Sequence, residues 1–214
     1  MKAAALLVLA CAPAGLCAQH VVVGPQVVFA DYRETSANLH YRGSGGAATA
    51  SFAWKKFGAD VSFSGVTYKP TSDGTAVAQF KVKQFDVRLR YYIAGPASAE
   101  LGFVKREADP EFEAQSVGAV RAGARLTYLL GPGVRMGLRS GLLFGSKFSG
   151  GGTSSAVGSV ELGLGVGIDG LKGKLRITGD YEFQRIARKT DTGSGEVDVP
   201  IQQALGRVGV ALAF

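Results

Sequence analysis

From residue 20 onward, apolar and polar side chains alternate with a period of two. The cleanest stretch sets Leu175, Ile177, Gly179, Tyr181 and Phe183 against Arg176, Thr178, Asp180, Glu182 and Gln184. Successive side chains of a strand point to opposite faces, and no helical period fits such a run. The same division sets Phe85, Val87, Leu89 and Tyr91 against Gln84, Asp86, Arg88 and Arg90. It recurs where Val134, Met136 and Leu138 alternate with Arg135, Gly137 and Arg139, and where Val160, Leu162, Leu164, Val166 and Ile168 alternate with Glu161, Gly163, Gly165 and Gly167. The pattern predicts ten strands, near 22–34, 47–57, 59–68, 79–93, 97–107, 115–130, 134–148, 156–169, 172–188 and 200–213. The first is the least regular, because Pro25 and the run Val21, Val22, Val23 blur its alternation.

The connections carry a second signal. Tight turns fall at Gly58, at Gly95 and Pro96, from Gly131 through Pro132 to Gly133, and at Asp169 and Gly170. The others, 36–46, 69–77, 108–114, 149–155 and 189–199, are longer and polar. Short and long links alternate, as if five hairpins stood side by side with every tight turn at one end. Alternating faces, an even strand number and this asymmetry predict an all-β protein, a closed antiparallel transmembrane β-barrel with short periplasmic turns and longer extracellular loops. Closure is required because unpaired edge N–H and C=O groups cannot be left in hydrocarbon. A soluble barrel or sandwich, apolar face inward, fits the alternation equally well. Against it stand the many glycines on its supposed solvent face and the uninterrupted apolar faces. Trp54, Tyr91, Tyr92 and Tyr128, near segment ends, also suit interfacial girdles.

The N-terminus carries Lys2, an apolar run from Ala3 to Ala12, then Pro13 and Gly15, with small residues around Ala18. This is the layout of a signal peptide over 1–18, leaving a barrel domain over 19–214. The apolar run is too short to span a bilayer. Val8 to Cys11 partly resembles a lipoprotein signal box, but the stretch before it is very short. A cut after Ala18 removes Cys11 and Cys17 together, leaving no disulfide scaffold or thiolate site. Lys+Arg outnumber Asp+Glu by 24 to 17, yet the basic residues are spread along the strands without a run, so no nucleic-acid partner is expected.

With its strands placed, the chain resembles the small bacterial outer-membrane β-barrel proteins, the superfamily of eight- and ten-stranded porin-like folds. The last strand carries the resemblance, with Val208, Val210, Leu212 and terminal Phe214 on its outward face. The resemblance implies an outer membrane reached through the periplasm, contact with outer-membrane lipid, and recognition of that C-terminal signal by the barrel-assembly machinery. It covers about 22–214 and selects no subfamily.

Alternation places Asp31, Arg33, Lys55, Asp60, Asp86, Arg88, Arg90, Glu100, Arg106, Arg121, Arg125, Arg135, Arg139, Lys147, Glu161, Lys174, Arg176, Asp180, Glu182 and Arg207 on the inward face. Buried charges need partners. The expected lumen ion-pair network is Arg88, Glu100, Arg121, Arg125, Arg135, Arg139, Glu161, Lys174, Arg176, Asp180 and Glu182. Glu161 would lie between Arg135 or Arg139 on one side and Lys174 or Arg176 on the other. An enzyme has little to work with: the histidines are His20 and His40, and His40 reads as a solvated side chain in the first long loop, without an adjacent acidic pair. No nucleophile motif, zinc spacing or calcium loop is present, and no cofactor is expected. Gly150 to Gly152 lacks the Lys and setting of a phosphate loop, and Lys55 and Lys56 beside Trp54 suit lipid headgroups. Two functions follow: a structural or surface-interaction barrel with a largely plugged lumen, its surface ligand unnamed, or a small-solute diffusion channel.

Overall fold

A computed structural model describes residues 20–76, 78–149, 152–191 and 195–214. The signal segment expected over 1–18, with Cys11 and Cys17, lies outside the described residues, as do Gly150 and Gly151. Eleven strands follow in order: β1 (His20–Glu34), β2 (Leu39–Trp54), β3 (Phe57–Pro70), β4 (Phe80–Ala94), β5 (Ala97–Ala108), β6 (Val117–Gly131), β7 (Val134–Phe148), β8 (Thr153–Gly170), β9 (Leu175–Asp191), β10 (Glu196–Asp198) and β11 (Ile201–Ala213). Each long strand pairs antiparallel with its neighbours, and β1 pairs with both β2 and β11, so ten strands close into a ring. The three-residue β10 only extends the hairpin of β9. Backbone hydrogen bonds from Val21 N to Phe214 O at 3.2 Å and from Phe214 N to Val21 O at 2.9 Å fasten the seam at the tight-turn end.

The polarity is inverted relative to a soluble protein. Leu89, Leu101, Leu162 and Val208 are each more than half exposed on the outside, while Arg88, Arg121, Glu161 and Glu182 are buried within. A continuous apolar outer wall with a charged interior is stable only when hydrocarbon surrounds it. The chain is therefore a transmembrane β-barrel of the outer-membrane type. Trp54, Phe57, Tyr91 and Tyr128 lie toward the tight-turn end of the wall, with the Phe57 and Tyr91 rings 5.4 Å apart. Tyr92, by contrast, turns inward, where its hydroxyl accepts from Arg90 at 3.0 Å.

Several sequence expectations need correction. The stretch 36–46 is not a long loop: the turn spans 35–38 and β2 begins at Leu39. Gly43, Gly45 and Gly46 look like loop residues, yet a Cβ at Gly45 would sit 1.8 Å from the Gly65 carbonyl oxygen, so bare backbone is needed where β2 and β3 pack closely. The β2–β3 turn lies at Lys55 and Lys56 rather than Gly58, with Lys55 in the left-handed region at φ 50°. Lys55 is thus exposed, 5.0 Å above the Trp54 ring, and not in the lumen. Lys174 is likewise exposed, in the turn that follows β8.

Asp31, Arg33 and Lys147 also point outward. On β1 the inward positions are Val28, Ala30 and Tyr32, so Asp31 and Arg33 fall on the other face. On β7 the pairing with β6 slips between Val120, opposite Phe144, and Gly118, opposite Lys147. This bulge, built on Gly145 at φ 60°, inserts one residue and reverses the parity beyond it.

Candidate functional site

The lumen is built in three layers. The middle layer brings four arginines and four carboxylates together from β4, β6, β7, β8, β9 and β11. Arg88 reaches Asp86 at 3.1 Å, Glu161 at 3.1 Å and Glu182 at 2.8 Å. Arg121 holds Asp86 and Glu161, each at 2.7 Å. Arg139 reaches Asp180 at 3.0 Å and Glu182 at 2.9 Å, and Arg207 meets the same two at 2.7 and 3.0 Å. The numbers of opposite charges match, as charges removed from water require. Long guanidinium forks suit the task because each can bridge two carboxylates on different strands.

The second layer lies toward the tight turns. Asp60 on β3 is shared by Arg90 at 2.9 Å and Arg125 at 3.1 Å, and Arg125 also holds Glu100 at 2.7 Å. Asp169 is shared by Arg135 at 3.2 Å and Arg176 at 2.5 Å. Asp60, Arg90, Arg125, Arg135 and Arg176 border a cavity of about 330 Å³ that is also lined by Arg88, Arg139, Arg207, Asp180 and Glu182 of the middle layer.

The third layer, toward the loops, is apolar. Tyr32, Tyr41, Tyr68 and Phe80 are buried together, with Tyr41 edge-on to Phe80 at 4.9 Å and Tyr68 stacked on it at 5.0 Å. The segment Pro110–Gln115, expected as a polar loop, instead forms a 3₁₀ turn. It lays Phe112 on Phe80 at 4.8 Å and sets the Gln115 side chain against the Tyr32 hydroxyl. Arg188 donates to the Ala114 carbonyl at 3.0 Å, holding that turn to β9. Between this layer and the charged one, Arg106 is fully buried, donating to Gln184 at 3.2 Å and to Gln203, which donates in turn to the Tyr68 hydroxyl at 2.7 Å.

Of the residues singled out from the sequence, Arg88, Arg121, Arg139, Glu161, Asp180 and Glu182 meet in the middle layer, while Glu100, Arg125, Arg135 and Arg176 take part in the second. Lys174 joins neither. Glu161 contacts Arg139 at 3.6 Å on the adjacent strand, but Arg88 and Arg121 are its nearer partners, and Arg135 and Arg176 turn to Asp169 instead. Sequence reasoning left out Asp169 and the whole aromatic layer. Asp169 was hidden as a turn residue, and Tyr32 and Tyr41 lay in the blurred first strand and the supposed loop.

His40 is a further correction. It lies on β2, nearly buried, with Asp31 Oδ2 at 2.8 Å from Nε2 and Asp73 Oδ1 at 2.9 Å from Nδ1. The acidic pair comes from β1 and from the β3–β4 loop, which folds over the outer face. That loop is also tied down by Thr71 N to His40 O at 3.1 Å and Thr75 N to Asn38 O at 2.9 Å. With a carboxylate against each ring nitrogen, the imidazole is held between β1 and the loop, so the arrangement is a clasp. Hydrogen bonds from the Thr71 hydroxyl and from His40 hold the exposed Asp73 carboxyl down at about 2. Among the described residues, no group of three or more His, Cys, Asp or Glu could hold a metal ion.

Several solved structures align with the chain at low sequence identity. The attachment invasion locus protein Ail of Yersinia pestis aligns over 91% of this chain and 98% of its own, at 11% identity and a TM-score of 0.42. Neisserial surface protein A aligns over 91% and 97%, at 14% identity and 0.43. The KdgM porin, solved with disordered oligogalacturonate, aligns over 88% and 99%, at 14% identity and 0.36. No protein-family model and no curated protein matches the chain.

Proposed function

We infer that the chain is a non-enzymatic outer-membrane barrel with a structural or surface-interaction role and a lumen closed to free diffusion. The observation that carries this is the contact of Arg88 on β4 with Glu182 on β9, at 2.8 Å across the barrel axis. Ten strands about 4.8 Å apart and tilted about 40° enclose a backbone radius of roughly 10 Å, which opposing long side chains can bridge. The stacked Phe80 and Phe112 rings add a second barrier on the loop side. The tight turns face the periplasm, and the outward Val208, Val210, Leu212 and Phe214 serve as the signal read by the barrel-assembly machinery.

Planar-bilayer recording of the purified protein tests the reading. Rare, small openings are expected; stable large openings that pass sugar-sized solutes would overturn it. The alternative, a small-solute channel, draws support from the 330 Å³ cavity on the turn side, but transit would need the aromatic layer displaced.

A further inference from the structure

Strands of 12 to 18 residues exceed the 9–11 that a tilted strand needs to cross a bilayer, so the loop ends stand above the hydrocarbon. There the outward face of β1 to β4 turns basic. Along β4 the outward series runs Leu89, Phe85, then Lys83 and Lys81; along β1 it runs Val27, Phe29, then Asp31 and Arg33. Strand pairing sets Arg42 beside Lys69, and Arg33, Arg42, Lys69, Lys81 and Lys83 are all exposed. Asp31 lies 3.1 Å from Arg33 and 3.9 Å from Arg42. Glu107, opposite Lys83 in the ladder, is held by Lys105 at 2.5 Å, and Asp109 accepts from the Lys81 backbone N–H at 2.9 Å. The balance leaves a cationic surface.

Level with Lys83, which pairs with Gly65 on β3, the wall is thin. Gly46 on β2 pairs with Gly65 on β3; a Cβ at Gly65 would meet nothing within 4 Å and one at Gly46 only the Gln26 carbonyl at 3.9 Å. Val27 and Phe29 rise on the β1 side, Lys83 stands on the β4 side, and the paired Phe63 and Phe85 close the trough on the membrane side. An occupant must be apolar below and anionic above, and the surrounding leaflet supplies such a molecule.

We propose that this face of β1 to β4 binds a phosphate-bearing lipid, its phosphate held by Arg42, Lys69 and Lys83 and the upper part of one acyl chain lying over Gly46 and Gly65. Guanidinium and ammonium groups at a membrane surface are the natural partners of phosphate oxygens. The site rests on the membrane-spanning reading but not on which way the loops face.

The test is native mass spectrometry of the full barrel, purified in non-ionic detergent and offered phosphatidic acid or phosphatidylcholine of the same acyl chains. Phosphatidic acid adducts are expected to dominate and to fall at least about fivefold in an Arg42→Ser, Lys69→Ser, Lys83→Ser triple variant, the equivalent of one lost surface cation. Gly65→Leu, whose Cβ would meet nothing within 4 Å, should lower them too. A control triple away from β1 to β4, Lys147→Ser, Lys172→Ser, Lys174→Ser, all exposed, should keep them, and heat-modifiable gel mobility verifies that each variant folds. Wild-type adduct levels in the first triple, or equal losses in both triples, would overturn the site. Displacement by millimolar inorganic phosphate would also overturn it, pointing to a soluble anion. A chain recovered without detergent fails the membrane reading before this test begins, so the two failures are distinguishable.

Discussion

Arg88 and Glu182 stand 94 positions apart in the chain and meet at 2.8 Å inside the lumen. Glu182 is completely buried and also receives Arg139 and Arg207, so one carboxylate ties β9 to β4, β7 and β11. Glu182→Gln removes the charge that Arg88, Arg139 and Arg207 share, with Arg121 at 3.9 Å, while preserving size. Breaking a buried ionic network from one side costs about 3–5 kcal/mol. The expected outcome is a lower urea midpoint in detergent, and the double variant Arg88→Met, Glu182→Leu should lose less than the two single losses added together.

Neighbouring glycines on β8 should respond in opposite ways. A Cβ at Gly163 would sit 2.3 Å from Arg139 Nε and 2.6 Å from its Cγ, whereas one at Gly165 meets nothing nearer than Asp180 Oδ2 at 3.5 Å. Gly163→Ala should destabilise by about 1–3 kcal/mol through displaced packing, while Gly165→Ala stays within about 0.5 kcal/mol of the parent. Leu164→Arg, on the outward face between them, should cost roughly 2–4 kcal/mol near the membrane centre. Chemical unfolding from lipid vesicles ranks all three.

The His40 clasp sets the order of the β3–β4 loop. Asp73 is held below its ordinary value of 3.8, at about 2, first by Thr71 and then by His40. A depressed carboxyl stabilises the folded loop above its unfolded value and loses that contribution as pH falls toward the folded one. Asp73 should therefore keep the loop clasped at neutral pH and down to about pH 4, then release it between about pH 4 and pH 2. Amide exchange at Thr71 and Thr75, whose N–H groups donate to His40 and Asn38, reads the change. His40→Ala should raise exchange and protease nicking of that loop at every pH.

Phe214 is expected to act in assembly rather than in stability. The seam to Val21 uses the backbone of Phe214 alone, and its ring is largely exposed. Phe214→Ala should leave the unfolding midpoint nearly unchanged while lowering the fraction of protein that reaches its heat-modifiable form in cells. An equal loss in both measurements would mean that the ring contributes to folding stability.

What the sequence determined by itself was local. Period-two alternation is a property of strand backbone, so Leu162, Leu164 and Val166 on one face and Glu161, Gly163 and Gly165 on the other were legible without coordinates. The alternation of short and long links likewise announced hairpins, and their closure follows from the need to pair every edge. Only the tertiary structure decided the rest. A single bulge at Gly145 moved Lys147 from lumen to exterior, and parity on β1 placed Asp31 and Arg33 outside, where Asp31 meets His40. Closure chose Arg88 and Arg121 as the nearer partners of Glu161, over its neighbour in the hairpin, and folded Phe112 in over the mouth. Alternation specifies faces; register and curvature specify which faces meet, and those are settled only when the last strand finds the first.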